Sequence, residues 1–187
     1  LSAQIKMSNL ILIIDFGSQY TQLIARRVRE SGVYSVVKSN SISKREISDL
    51  NPAGIILSGG PDSITSKKKH SLSKNILNSN IPILGICYGM QLITDFFKGK
   101  VKPSQKKEFG HAVFNIEKSS KLFYGLKKGK KLNVWMSHSD KVIKLPKGFE
   151  SLGSSSNTKF AAMYSSEKEI YCLQFHPEVT HTDNGKN

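Results

Sequence analysis

A cysteine, a histidine and a glutamate stand in contexts that could do nucleophilic chemistry together. Cys87 lies between two glycines in Gly85-Ile86-Cys87-Tyr88-Gly89, while His176 and Glu178 lie near the other end of the chain in Gln174-Phe175-His176-Pro177-Glu178-Val179. A thiolate attacks, an imidazole moves the proton and a carboxylate orients the imidazole; such a triad is defined by roles and geometry rather than by order in the chain. A cysteine flanked by glycines, with an apolar strand before it and a helical pattern after it, reads as a nucleophile elbow. The small neighbours permit the tight turn and leave the sulfur exposed, and the positive end of the following helix favours an anion there. Taken alone, the elbow does not separate a nucleophile from a buried structural cysteine, since unpaired cysteines are among the most buried residues.

His176 precedes a proline and is therefore expected to be extended; period-two alternation in a last strand then places His176 and Glu178 on one side. His-x-Glu also opens the zinc deaminase signature, but the Pro-Cys-x-x-Cys that should follow is missing. His181 and Asp183, in a polar tail, read as solvated side chains rather than metal ligands. A lone His-Pro-Glu would also suit a strand end with a satisfied histidine. The co-occurrence of elbow, glycine turn and His-Pro-Glu favours the triad.

The elements that must position these residues alternate. Asn9 to Ile14 reads as a strand, followed by a helix capped by Ser18, running through Glu30 with Leu23, Ile24 and Val28 on one face and closed by Gly32. Val33 to Val37 reads as a second strand. Ser43 to Leu50 reads as a short helix with Ser43 and Glu46 as a capping box, and Gly54 to Leu57 as a third strand. Residues 67–80 read as a charged loop and surface helix, Ile81 to Ile86 as the buried elbow strand, and the elbow helix as reaching Lys98 with Gly99 ending it. Short strands follow at 109–116, 132–136, 141–145, 150–154, 160–164 and 170–175. This predicts an α/β fold: a doubly wound, mostly parallel central sheet with flanking helices and a β-rich C-terminal half.

The turn Ser58-Gly59-Gly60-Pro61-Asp62-Ser63 looks like the S-G-G-x-D-S phosphate loop of ATP pyrophosphatases. Pro61, however, removes an N–H from a loop meant to offer such groups to phosphate. The reading preferred here is a glycine turn beside the elbow, with the Gly60 N–H aimed at an oxyanion.

At 187 residues the chain suits one domain, expected over 9–180, with 1–8 a leader or cloning remnant that includes Met7 as a natural start and 181–187 a polar tail that frays or leads to an absent synthetase domain or subunit. Two cysteines, Cys87 and Cys172, argue against a disulfide framework, and no apolar run is long enough to span a membrane, so the chain reads as cytosolic. Lysine and arginine number 28 against 14 acidic residues, a net charge of +14. The lysines fall in scattered clusters (67–69, 106–107, 127–128, 130–131) without interleaved stacking aromatics, which argues against a nucleic-acid partner. The charge reads as a solvated face, or one that attracts an anionic partner.

At this point the chain resembles the class I, or triad, glutamine amidotransferases. The resemblance is carried by Ile14-Asp15-Phe16-Gly17-Ser18-Gln19-Tyr20-Thr21-Gln22-Leu23-Ile24-Ala25-Arg26-Arg27, Leu57-Ser58-Gly59-Gly60-Pro61, Gly85-Ile86-Cys87-Tyr88-Gly89-Met90-Gln91, Met136-Ser137-His138-Ser139-Asp140 and Gln174-Phe175-His176-Pro177-Glu178-Val179-Thr180-His181-Thr182. The opening motif, Met-Ser-His and the extended His-Pro-Glu point to the branch that supplies ammonia for converting XMP to GMP. The resemblance implies that Cys87 attacks the side-chain amide of L-glutamine, with His176 as proton carrier and Glu178 as its partner. It further implies an oxyanion hole from the backbone N–H groups of Gly60 and Tyr88, and glutamine held by Gly59, Gln91, Ser137 and His138. No cofactor is implied for this domain; ATP and Mg²⁺ belong to an ATP pyrophosphatase synthetase domain or subunit that is absent here. The chain departs from the family pattern where Glu108-Phe109-Gly110-His111 replaces Glu-Tyr-Gly-Arg and Ser139 replaces a glycine, changes that bear on glutamine affinity or on contact with the synthetase. Two other readings are a weakly active docking module and the glutaminase subunit of another ammonia-transfer enzyme, such as anthranilate synthase, which the opening motif and Met-Ser-His argue against.

Overall fold

Short apolar, β-branched runs form the central strands, and two longer, mostly polar strands complete one mixed sheet. The computed structural model describes residues 9–66 and 69–187; the expected leader and the first two lysines of the 67–69 cluster lie outside them. The strands are β1 (Leu10–Asp15), β2 (Tyr34–Ser39), β3 (Gly54–Leu57), β4 (Ile83–Ile86), β5 (Lys100–Ile116), β6 (Lys131–Lys144), β7 (Glu150–Ser154), β8 (Ala162–Ser165) and β9 (Ile170–Leu173). They form a nine-stranded sheet in the order β2-β1-β3-β4-β9-β8-β7-β5-β6. Pairing from β2 through β9 is parallel, and from β9 outward antiparallel. The expected fold class is therefore the observed one.

Alternation divides the sheet's side chains between two layers. Leu12, Ile14, Ile55, Leu57 and Ile83 pack with helices α2 (Lys44–Leu50), α3 (Lys74–Leu77) and α4 (Tyr88–Phe96), whereas Ile13 and Ile86 meet Ile24 and Ala25 of α1 (Thr21–Glu30) on the other face. Phe114, Val134, Met136, Leu152 and Leu173 extend the core beneath the antiparallel half.

Several local expectations need correction. Ser18 does not cap α1: its Oγ accepts from Tyr20 N at 3.0 Å within the preceding turn, and Tyr20 occupies the cap without a side-chain bond. The Ser43–Glu46 capping box is present as expected. α4 ends at Phe96, and Lys98 rather than Gly99 adopts the left-handed conformation, at φ 64°. The Lys98 and Gly99 amides donate to Asp95 O and Thr94 O, a Schellman closure. The strands expected at 132–136 and 141–145 are one continuous β6, because its polar Ser137 to Asp140 stretch pairs with β5 instead of turning. The tail expected to fray is anchored: Thr182 is buried, its Oγ1 donates to His176 O at 2.7 Å and accepts from Trp135 N, and Asp183 accepts from the Asn133 backbone and side chain.

Candidate active site

Cys87 is the residue between β4 and α4, and its backbone has φ 52° and ψ −103°. A β-carbon resists that conformation, which persists only because the surroundings over-determine it. The Cys87 N–H donates to Leu173 O on β9 at 2.7 Å, and the Gly89 N–H to Ser58 O at 3.1 Å. Gly85 and Gly89 let strand and helix close on each other: a β-carbon at Gly85 would stand 2.7 Å from Ile93 Cδ1, and one at Gly89 2.5 Å from Leu57 O. The sulfur, expected to be exposed, is instead buried and lines a cavity, with Cys87 4% exposed.

Parallel pairing of β4 with β9, with Ile86 beside Leu173, carries the chain's last strand to the elbow. Two residues past Gln174, the His176 imidazole lies against Cys87 and Gly59, where a β-carbon on Gly59 would be 3.1 Å from His176 Cε1 and 3.8 Å from Cys87 Cβ. His176 Nδ1 and Glu178 Oε1 are 2.7 Å apart and both residues are buried. The expected pairing is thus present but not for the expected reason: β9 ends at Leu173, and Glu178 reaches back from the turn after Pro177 rather than along a strand. His176 N donates to Trp135 O at 2.9 Å, and Tyr20 meets the imidazole edge-on with ring centroids 5.0 Å apart.

Burial disfavours a charged imidazole, but the Cys87 and Glu178 side chains outweigh it and raise His176 from an ordinary 6.5 to about 10. A raised folded-state value means that the bound proton stabilises the fold. That contribution is complete below pH 6.5 and is lost as pH rises through about 10. Denaturant titrations at successive pH values are expected to show the wild type losing stability across this window relative to His176→Gln; parallel curves would contradict the coupling.

Gly60, Cys87, Tyr88, Gln91, Ser137 and His138 share a cavity of about 170 Å³ with Pro61, Asp62, Phe109, Ser139 and Asp140. Gly60 lies at the end of the β3 turn, a β-carbon there meeting Tyr88 Cδ1 at 3.0 Å, and Tyr88 is the first residue of α4. Among the described residues neither the Gly60 nor the Tyr88 N–H donates a hydrogen bond, so both are free for an incoming oxygen. Gln91, expected to hold substrate, lines this cavity, and its Nε2 donates to Asp140 O at 2.9 Å and lies 3.5 Å from Gln174 Oε1. The Cys87 thiol faces Ser137 O at 3.5 Å. Sequence reasoning missed Gln174, whose Nε2 approaches Cys87 Sγ at 3.8 Å. Its signal was a polar residue two positions before His176, at the end of an apolar run.

The Ser58 to Ser63 turn is not built for phosphate. Ser58 Oγ accepts from Phe16 N, Ser63 Oγ is held by Asp140 Oδ2 and Thr65, and the Asp62 carboxylate stands beside His70. Among the described residues no cluster of three or more His, Cys, Asp or Glu could hold a metal, and no helix is long and apolar enough to cross a membrane. His181 packs at a tilt against Trp135 and meets His111 edge-on, while Asp183 is bound to Asn133, so neither turns toward His176. A wider groove of about 850 Å³ lies on the α1 face; of the triad candidates it touches Glu178 alone. Size therefore does not locate the chemistry; the cysteine does.

The fold is shared with solved structures named as glutamine amidotransferases. One from Thermotoga maritima superposes with a TM-score of 0.73 over 92% of this chain and 77% of its own at 21% identity, a likeness of fold alone. The chain belongs to the glutamine amidotransferase class-I family, whose pattern matches residues 12–187. Within that family it is similar to GMP synthase [glutamine-hydrolyzing] of Staphylococcus saprophyticus, at 51% identity over 97% of this chain, and to that of Maridesulfovibrio salexigens, at 48% over 95%. It spans only 35% and 34% of those relatives' own lengths. A crystal structure from Thermoplasma acidophilum, provisionally assigned as one subunit of a GMP synthase, matches at TM-score 0.82 and 34% identity, over 96% of this chain and 89% of that one.

Proposed function

We propose that this chain hydrolyses L-glutamine to glutamate and ammonia through Cys87, His176 and Glu178, and that the ammonia serves an ATP- and Mg²⁺-dependent synthetase converting XMP to GMP. The observation that carries the reading is the strained cysteine at a helix N-terminus, packed against an imidazole that is itself 2.7 Å from a buried carboxylate. His176 takes the thiol proton and the sulfur attacks the side-chain amide carbon, forming a C–S bond while the carbonyl electrons move to oxygen. That oxyanion meets the Gly60 and Tyr88 N–H groups, each such donor being worth ~2.7–4 kcal/mol in the transition state. His176 gives its proton to the amide nitrogen, the C–N bond breaks and ammonia leaves a glutamyl thioester. Water then attacks the thioester and His176 takes its proton; as the C–S bond breaks, that proton passes to sulfur, releasing glutamate and regenerating the thiol. Gly59 leaves room for the imidazole, and the Ser137–His138 backbone with Gln91 borders the substrate.

The similarity to GMP synthases supports the XMP-linked destination, and ATP and Mg²⁺ fall to the synthetase portion. The test is glutamate release by this chain alone and with an XMP-aminating synthetase unit supplied with ATP and XMP; the expected result is cysteine-dependent release stimulated by the XMP-loaded partner. Equal rates with and without the partner would separate the hydrolysis from GMP formation. The second reading, a docking module with little activity of its own, is favoured by one observation: the Gln91 amide nitrogen is committed to Asp140 O. It predicts no glutamate release under either condition.

A further inference from the structure

Glu108 has no part in the reaction above, yet it is buried, 7% exposed, on β5. Its carboxylate accepts from Ser155 Oγ at 3.2 Å and from Thr158 Oγ1. Directly across the β5–β6 register stands His138, whose Nε2 is 3.1 Å from Glu108 Oε2, off the hydrogen-bond axis. Burial raises the carboxyl's pKa, but His138, Thr158 and Ser155 outweigh it, so the group is held below the ordinary carboxylate value. Burying the carboxylate costs several kcal/mol, and apolar residues of similar volume at the two positions would serve stability as well. The pair therefore calls for a reason other than stability.

Its location supplies one. Regular β5–β6 pairing is broken between Pro103 and Glu108, and the ladder resumes at the Glu108–His138 pair. A strand re-entering a ladder after an irregularity can slip by one residue, and a slip turns every side chain to the opposite face. The following pair, Phe109 with Ser137, lines the Cys87 cavity, with Ser137 O 3.5 Å from the sulfur. His138 also extends the contact inward. Its Nδ1 donates to Asp140 O at 2.9 Å, the carbonyl that Gln91 holds from α4.

We propose that Glu108, acting through His138, is a positioning residue for glutamine: it sets the β5–β6 register that brings the Ser137 carbonyl and Phe109 to the Cys87 cavity. This rests on the glutaminase reading. It assigns Glu108 to substrate affinity rather than to proton transfer.

The test is steady-state glutaminase kinetics of the full chain, with its synthetase partner if one is needed for turnover, comparing wild type, Glu108→Ala, Glu108→Gln and Thr158→Val. Misplacement of a substrate wall is expected to raise KM for glutamine about 10- to 100-fold in Glu108→Ala, with kcat changing less than KM. Glu108→Gln, which keeps the shape and one acceptor oxygen, recovers most of the affinity, and Thr158→Val gives a smaller KM rise. A second readout does not require turnover. Alkylation of Cys87 by iodoacetamide, which needs no glutamine recognition, keeps its wild-type rate in Glu108→Ala, whereas labelling by a glutamine-shaped chloroketone slows in step with KM. A lower melting temperature with unchanged KM and an unchanged ratio of the two labelling rates overturns the proposal, as does a loss confined to kcat. Failure of the glutaminase reading would show separately, as absence of glutamate release by the wild type.

Discussion

Replacing Cys87 by alanine is expected to reduce glutamate release on the order of 10⁴-fold or more, because triad residues act as a unit and loss of the nucleophile forfeits the shared effect. The variant should still fold. Alanine keeps the β-carbon, so the strain at φ 52° is unchanged, and the sulfur's contacts with Ser137 O at 3.5 Å and Gln174 Nε2 at 3.8 Å are weak; the larger loss is the Cys87 share of the coupling that raises His176. Thermal denaturation should therefore shift by no more than that share while activity falls by orders of magnitude, which distinguishes lost chemistry from lost structure. Glutamate release that persists in a folded Cys87→Ala chain would remove the cysteine from the mechanism.

The second large effect belongs to Gly89→Ala, and two forces compete in it. Alanine is a better helix former than glycine by about 1 kcal/mol. Against that, the new methyl would stand 2.5 Å from Leu57 O and 2.8 Å from Leu57 Cβ, at the end of a central strand held by neighbours on both sides. Overpacking of this kind costs roughly 1–3 kcal/mol, and more against backbone. The clash wins, with an expected net loss of about 2 kcal/mol and a melting temperature lower by roughly 4–8 °C for a domain of this size. Activity should fall further than stability alone explains. As α4 shifts from β3, the Gly89 N–H to Ser58 O bond at 3.1 Å opens, and the Tyr88 and Gly60 N–H groups no longer converge. Calorimetry and kcat measured on the same preparation check both parts, and a melting temperature equal to or above wild type would refute the close-packing account.

Much of this protein was legible before any coordinates, and the reason is local. The elbow is written in consecutive residues: an apolar β-branched strand, glycines that allow close approach, and a helix with its own periodicity. The Ser43–Glu46 capping box and strands β3 and β7 follow in the same way, from spacings a few residues long. Side-chain size and period decide such features without reference to the rest of the chain.

Tertiary structure decided the encounters. Cys87 and His176 meet because β9 is inserted beside β4, a pairing made by hydrogen bonds between distant backbone segments that leave no mark in local composition. Glu178 reaches His176 from a turn, where alternation along a strand does not apply. The tail is ordered because Thr182 and Asp183 find β6 partners at Asn133 and Trp135. Gln91 spends its amide nitrogen on Asp140, and Glu108 survives burial only through His138, Thr158 and Ser155. A buried polar group must find its partner wherever the fold provides one. Which partner it finds is a property of the assembled sheet, and the residue types alone do not contain it.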